Sequence, residues 1–341
     1  MPAGSSTKER GYSVYWAMSG VARPFTTAAF LRERKQADRE WETTRVERLH
    51  DLGTVSHLSI LPLVEYYAAA ERVGTEAGLS YLVTADERKI LFDVGRNVRQ
   101  EHPSPLLRNM ETLGVSVSDV DAVFISHNHL DHVGGVEQMH RATFSLSAAP
   151  GGSAGPEGPA DPVDLAGIPA YVPTLMTHPS ARVEVVTEPR KLSEGLASTG
   201  PITRAIWLMG PIAEHSLLVN VAGKGMVMIV GCGHPSLSRL IERAQTVTGA
   251  PLYGAVGGLH FPVTGSRVGK GGQNILGNGK LPWQRITRDE THEAAARLAD
   301  LDVGLVALSG RDICDWSLCV FADTLGDRCR TVKVGEEILV A

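Results

Sequence analysis

The sequence predicts an α/β fold in which two packed β-sheets are covered by helices. Three observations carry that expectation. Apolar strand hairpins occur in both halves of the chain, SYLVTADERKILFDVG at 80–95 and HSLLVNVAGKGMVMIVGCG at 215–233. Stretches with helical spacing lie between and after them, and each half places histidines where an apolar run ends. With 341 residues the chain exceeds the usual single-domain length, but layered α/β proteins of this size form one principal domain with long loops. One domain over 51–341 with an extension over 1–50 is expected.

The extension is set apart by LRERKQADREWETTRVERLHDLG (31–53), whose dense alternating charge reads as an exposed helical arm. Such an arm is either a solvated helix packed on the domain surface or a contact in a homodimer. From His57 the pattern changes to β-rich runs: HLSILPLVEYY, then a hairpin turning at Asp86-Glu87. PLLRNMETLG is helical and leads into DVDAVFIS, a short buried strand. Residues 148–169, rich in Gly, Pro and Ala, read as a long loop. The second hairpin turns at Gly223-Lys224-Gly225 and is followed by the helix SLSRLIERAQTVTG with its terminal glycine. PLYGAVGGLHF is a strand, and VGKGGQNILGNGKLPW a Gly-rich loop. TRDETHEAAARLADL opens with a capping box at Thr287 and Glu290. VGLVALSG is a strand, CDWSLCVFADTLGD a helix, and TVKVGEEILV a single closing strand. The segment WLMGP from Trp207 and the loop at 148–169 are placed beside the cleft, although Trp207 reads more readily as core than as lid.

Composition removes several function classes. The formal net charge of -5 gives no basic surface for phosphate backbones, so general nucleic-acid binding is not expected. No segment reaches the roughly 18 apolar residues that span a bilayer, and the first residues lack an apolar signal region. Four cysteines, Cys232, Cys314, Cys319 and Cys329, form no CxxC pair and no disulfide framework, so reduced thiols and a cytoplasmic protein are expected.

The chemistry concentrates in FISHNHLDHVGG (124–135), where His127, His129, Asp131 and His132 follow a buried strand and precede Gly134-Gly135. Close neighbours on tight backbone can face two centres, His127 with His129 and Asp131 with His132. Imidazoles suit Zn, Fe, Mn or Ni, and the carboxylate adds a hard oxygen. Two cations sharing a water and polarising a substrate oxygen would give hydrolysis. A loop of surface histidines is the bland alternative, and it fits poorly with four ligand-type residues at this spacing. His234 after GCG and His260 after Gly257-Gly258 are each, taken singly, as readily structural histidines as ligands, whereas His215 ahead of a strand reads as structural with metal ligation as the alternative. Cys232 reads as a small buried residue with metal contact as the alternative.

The pattern HxHxDH after a strand resembles the signature of the metallo-β-lactamase fold superfamily. GCGHPSLSRLIERA and AVGGLHF resemble blocks of the branch named after dihydropterin ribofuranosylaminobenzene phosphate synthase. The resemblance runs from about residue 52 onward and implies a four-layer αββα sandwich. It implies His127, His129, Asp131, His132, His234 and His260 as metal ligands, with one or two divalent ions, Zn or else Fe or Mn. Asp93, at the end of ILFDVG, resembles an aspartate that orients a ligand from behind. The sequence departs from the branch at SGRDICDW, where Arg311 stands in place of a histidine. Arginine cannot ligate a metal under ordinary conditions. Either a metal site has lost a ligand, or Arg311 pairs with a substrate carboxylate or phosphate; alternatively it bonds Asp312 or Asp315 and faces away.

The function so implied is a hydrolase whose metal-activated water attacks an ester, lactone, amide or phosphoester bond of a small-molecule substrate. Asp131 would orient the water and accept its proton, and Arg311 is the second candidate catalytic residue. A lyase or transferase on the same centre, and a non-catalytic protein that binds a metal or metabolite, are the alternatives. The Arg311 replacement keeps the latter open.

Overall fold

The computed structural model describes residues 26–147, 163–265, 267 and 277–340. Two seven-stranded sheets account for the centre of the molecule. The first has the order β16-β1-β2-β3-β4-β5-β6, built from β1 (Leu58–Val64), β2 (Ser80–Ala85), β3 (Arg88–Phe92), β4 (Ala122–Phe124), β5 (Pro169–Val172), β6 (Arg182–Val185) and β16 (Ile338–Val340). The second has the order β15-β14-β13-β12-β11-β8-β7, from β7 (Arg190–Ser193), β8 (Leu196–Ser198), β11 (Leu217–Val221), β12 (Gly225–Val230), β13 (Leu252–Gly257), β14 (Leu305–Leu308) and β15 (Cys329–Thr331). A separate hairpin pairs β9 (Ile202–Ile206) with β10 (Gly210–Glu214).

Hydrophobic side chains from both sheets, among them Ile60, Val83, Phe92, Val219, Ile229 and Val256, pack face to face. A second cluster joins the outer face of the first sheet to α2 (Pro105–Thr112). A third joins the outer face of the second sheet to α4 (Leu237–Thr248), α5 (Arg288–Asp300) and α6 (Asp315–Leu325). The layers are therefore helix, sheet, sheet, helix, as expected. A short helix, α3 (Val136–His140), follows the histidine motif.

The two sheets repeat one pattern of strand directions. In the first, β16-β1-β2-β3 are antiparallel and β3-β4-β5-β6 parallel. In the second, β7-β8-β11-β12 are antiparallel and β12-β13-β14-β15 parallel. Parallel strands end side by side, so the loops after β3, β4, β12, β13 and β14 are brought to one edge of the sandwich, where α/β sheets present their sites.

Local sequence explains the helix boundaries. Ser104 caps α2 by accepting the N–H of Leu107, with proline in the first turn. The capping box expected at Thr287 and Glu290 is present on α5. Gly249 ends α4 at φ 64°, a left-handed conformation that costs glycine little.

The charged arm forms α1 over 26–43. It is not solvated all round: Phe30 and Ala37 are buried, and Trp41 lies under the guanidinium groups of Arg239 and Arg243. A cleft of about 540 Å³ beside it is lined by Trp41, Arg45, Arg48 and Arg243 and touches none of the motif histidines. Trp207, at the β9-β10 bend, is buried with Phe30, Ala205 and Leu281 and serves as core. Residues 1–25, most of the loop at 148–169 and most of the Gly-rich loop lie outside the described residues. One expectation is corrected: TVKVGEEILV is not a single strand. The chain turns at Gly335 (φ 79°), leaving β15 on the edge of the second sheet and β16 on the edge of the first. A run read for periodicity alone does not show that its two ends join different sheets.

Candidate metal centre

Three histidines converge at the edge where the parallel strands end. Nε2 of His127 lies 3.1 Å from Nδ1 of His129, and Nε2 of His234 lies 3.1 Å from the same atom. Each outer imidazole has its other nitrogen engaged. Nδ1 of His234 faces the carbonyl of Gly277 at 2.7 Å, and a carbonyl only accepts, so Nδ1 carries a proton and Nε2 is the nitrogen turned inward. Nδ1 of His127 lies 2.9 Å from the hydroxyl of Ser126, which itself donates to Asp93 at 2.7 Å. Three ring nitrogens gathered at this spacing are placed as a cation would need them. A tetrahedral ion with metal–nitrogen distances of about 2.0–2.1 Å would hold its ligands roughly 3.3 Å apart. With the sulfur of Cys232, the donor atoms of His127, His129 and His234 all lie within 4.8 Å of one another.

A second group that could hold a cation consists of Asp131, His132 and Cys232. His132 donates from Nδ1 to Asp93 at 2.6 Å and directs Nε2 toward Cys232 Sγ at 3.2 Å and Asp131 Oδ2 at 3.6 Å. Cys232 is common to both groups, so the alternative reading of this residue gains weight from its position. Arg311, 1% exposed, points into this second group. Its guanidinium pairs with Asp131, donates to Cys232 Sγ at 3.3 and 3.4 Å, and donates to the carbonyl of Gly231 at 3.1 Å. The side chain points into the site, its charge is close enough to that of Asp312 for the two to act on each other, and Asp315 pairs with Arg267.

Burial opposes ionisation throughout the site, and close opposite charges reverse it at several groups. Burial would raise Cys232, yet Arg311, His132 and His234 hold its thiol well below the ordinary range. Burial would likewise raise Asp131, and Arg311 outweighs it, holding the carboxylate ionised. His127 is pushed well below its usual value by burial, favouring the neutral ligand form. For His234, burial is overcome by the charge on Cys232, and the group is raised to about 9.

The loops are fixed by groups that the sequence reading did not single out. Glu214, fully buried at the end of β10, accepts backbone N–H groups from Cys232, Gly233 and His234 at 2.9–3.0 Å. Ser126 links His127 to Asp93. Asp312 accepts the backbone N–H of His260 at 3.1 Å and holds that residue at φ 57°. A lone Glu inside the apolar stretch PIAEHSLLV was the available signal for Glu214.

His260 lies beside the cluster, its ring centroid 5.7 Å from that of His234, and joins neither group of converging donors. His215 sits behind the site, stacked on Phe124 at 4.0 Å and donating to the carbonyl of Ile125 at 2.8 Å. Asp93 occupies the orienting position its resemblance implied, accepting from Ser126 and His132.

The model of the metallo-beta-lactamase superfamily matches residues 73–195. A relative from Methanocaldococcus jannaschii, 7,8-dihydropterin-6-methyl-4-(beta-D-ribofuranosyl)-aminobenzene-5'-phosphate synthase, is 24% identical over 251 residues, covering 62% of this chain and 81% of that protein. A probable RNase of the same organism is 44% identical over 68 residues, 19% of this chain and 14% of the RNase. Among solved structures, a metal-dependent hydrolase of the beta-lactamase superfamily superposes with a TM-score of 0.55 at 16% identity, covering 83% of this chain and 99% of that one. Likeness at this level of identity shows the fold.

Proposed function

From the metallo-β-lactamase fold of this chain we infer that it is a metal-dependent hydrolase of a small organic substrate, cleaving an ester, lactone, amide or phosphoester bond. The observation that supports this best is the convergence of the His127, His129 and His234 nitrogens, with the opposite nitrogens of His127 and His234 already hydrogen-bonded. Those three residues and Cys232 would hold the ion, and three nitrogens with one sulfur suit Zn, with Fe or Mn as alternatives. A divalent ion there supplies Lewis-acid polarisation and activation of water near neutral pH. Asp131 is the least buried of the set, with its side chain 18% exposed. Its carboxylate orients that water and takes its proton. Arg311 keeps Asp131 ionised and adds fixed positive charge for a developing oxyanion. In this reading the catalytic domain is 51–341, residues 1–50 are an extension, and nucleic acid is not a general partner.

A second reading is a lyase or transferase on the same centre. It is favoured by the synthase relative, which this chain covers over most of its length. The test is turnover of a panel of phosphodiesters, lactones and esters by metal-loaded protein, chelated protein and His127→Ala. Hydrolysis that needs both the metal and His127 supports the hydrolase. Metal-loaded, folded protein that hydrolyses nothing on the panel counts against it.

A further inference from the structure

We propose that Arg311 is a built-in second cation: its guanidinium fills the position a second metal ion would take among Asp131, His132 and Cys232, and the chain binds one metal ion only. This rests on the reading of His127, His129 and His234 as a metal site.

The second group gathers a carboxylate, an imidazole and a thiol whose donor atoms lie within 4.8 Å of one another. Two of those three donors already hold N–H groups of Arg311, the Asp131 carboxylate and the Cys232 sulfur. The guanidinium is buried to the same degree as the histidines, and its second nitrogen is anchored on the Gly231 carbonyl. It comes from the loop after β14, whereas Asp131 and His132 come from the loop after β4. A guanidinium has five N–H donors and no lone pair to give, so it neutralises the group without coordinating anything. A metal ion placed among the same donors would have to displace the guanidinium from Asp131 and Cys232, costing a buried charge two of its partners.

The chemistry shifts accordingly. A second divalent ion brings open coordination positions and can carry its own water. A guanidinium brings a single charge and oriented N–H donors, which favour an anionic oxygen on the substrate, such as a carboxylate or phosphate. Cys232, engaged by Arg311 from one side, is left as the fourth donor for the single ion beside His127, His129 and His234.

The experiment is metal stoichiometry, measured by elemental mass spectrometry after reconstitution with zinc and separately by titration with cobalt(II) followed by absorption. The set is the untagged parent, His127→Ala, Arg311→Lys and Arg311→Ala. One ion per chain in the parent and in Arg311→Lys, rising to two in Arg311→Ala, is expected. Two ions in the parent overturn the proposal while leaving the metal reading intact, as does one ion in a folded Arg311→Ala. Should that variant fail to fold, Arg311→His is read in the same way. No ion in the parent, or binding that His127→Ala leaves unchanged, overturns the metal reading itself and this proposal with it.

Discussion

His132 donates to Asp93 across 2.6 Å with both side chains closed to solvent. The same carboxylate takes the backbone and hydroxyl groups of Ser126, and that hydroxyl in turn meets Nδ1 of His127. One carboxylate thus orients an imidazole in each of the two donor groups. Partners of this kind fix ring orientation and raise ligand basicity, and losing them typically costs 10–100-fold in metal affinity. Asp93→Asn keeps the volume and turns an amide NH2 toward groups that donate. Competition with a chromophoric chelator should show affinity lowered by roughly that factor; unchanged affinity would mean that Asp93 does not orient the centre.

Gly231 tests the same relay sterically. A Cβ at this position would stand 2.2 Å from the Ser126 hydroxyl and 3.1 Å from Nδ1 of His127. Gly231→Ala should cost about 1–3 kcal/mol of stability, the usual range for overpacking. It should also weaken metal binding, whereas a parent-like urea midpoint and parent-like affinity together would refute the close packing.

Glu214 makes a prediction about the loop that carries Cys232 and His234. A carboxylate accepts all three of its backbone N–H partners, but a glutamine presents one carbonyl and two donors. Hydrogen bonds to charged groups contribute about 1.5–3 kcal/mol. Glu214→Gln should lower stability by roughly that amount in urea unfolding, with metal affinity falling too because His234 loses its fixed position. A loss of stability with affinity preserved would confine Glu214 to a purely structural role.

His215 ties stability to pH. Burial lowers its pKa to about 3, from 6.5 for the free side chain. Between those values the unfolded chain binds a proton that the folded chain refuses. The contribution is fully present above pH 6.5 and is lost as pH falls toward 3. At pH 5 the loss is about 2 kcal/mol. His215→Phe keeps the stacking on Phe124 and removes the titration. Its stability deficit relative to the parent should therefore be about 2 kcal/mol smaller at pH 5 than at pH 7.5. An equal deficit at both pH values contradicts a neutral, buried His215.

Much of this was legible in the sequence because it is local. The hairpin at Asp86, the capping box at Thr287 and the cap at Gly249 depend on a few adjacent residues. The cluster from His127 to His132 could be read for the same reason, since its members share one loop. What escaped depends on residues far apart in the chain. Glu214 acts on a loop 18–20 residues on, and Ser126 matters through Asp93, 33 residues before it. The orientation of Arg311 was undecided in the sequence because its partner Asp131 is 180 residues away. The strands between 169 and 214 are each only a few residues long, and any alternation in them is too brief to stand out from loop.

The division of the last residues between the sheets has a consequence for the order of assembly. β1 pairs with β16, Leu58 opposite Val340, so the sheet made almost wholly from strands before residue 186 stays bare on one edge until β16 is made. An open edge is a template for pairing with other chains. During synthesis the earlier half, which carries His127 to His132, waits with that edge exposed while residues 186–337 are made. Helper proteins that cover strand edges would matter most in that interval, and a break near residue 335 would return the finished molecule to it.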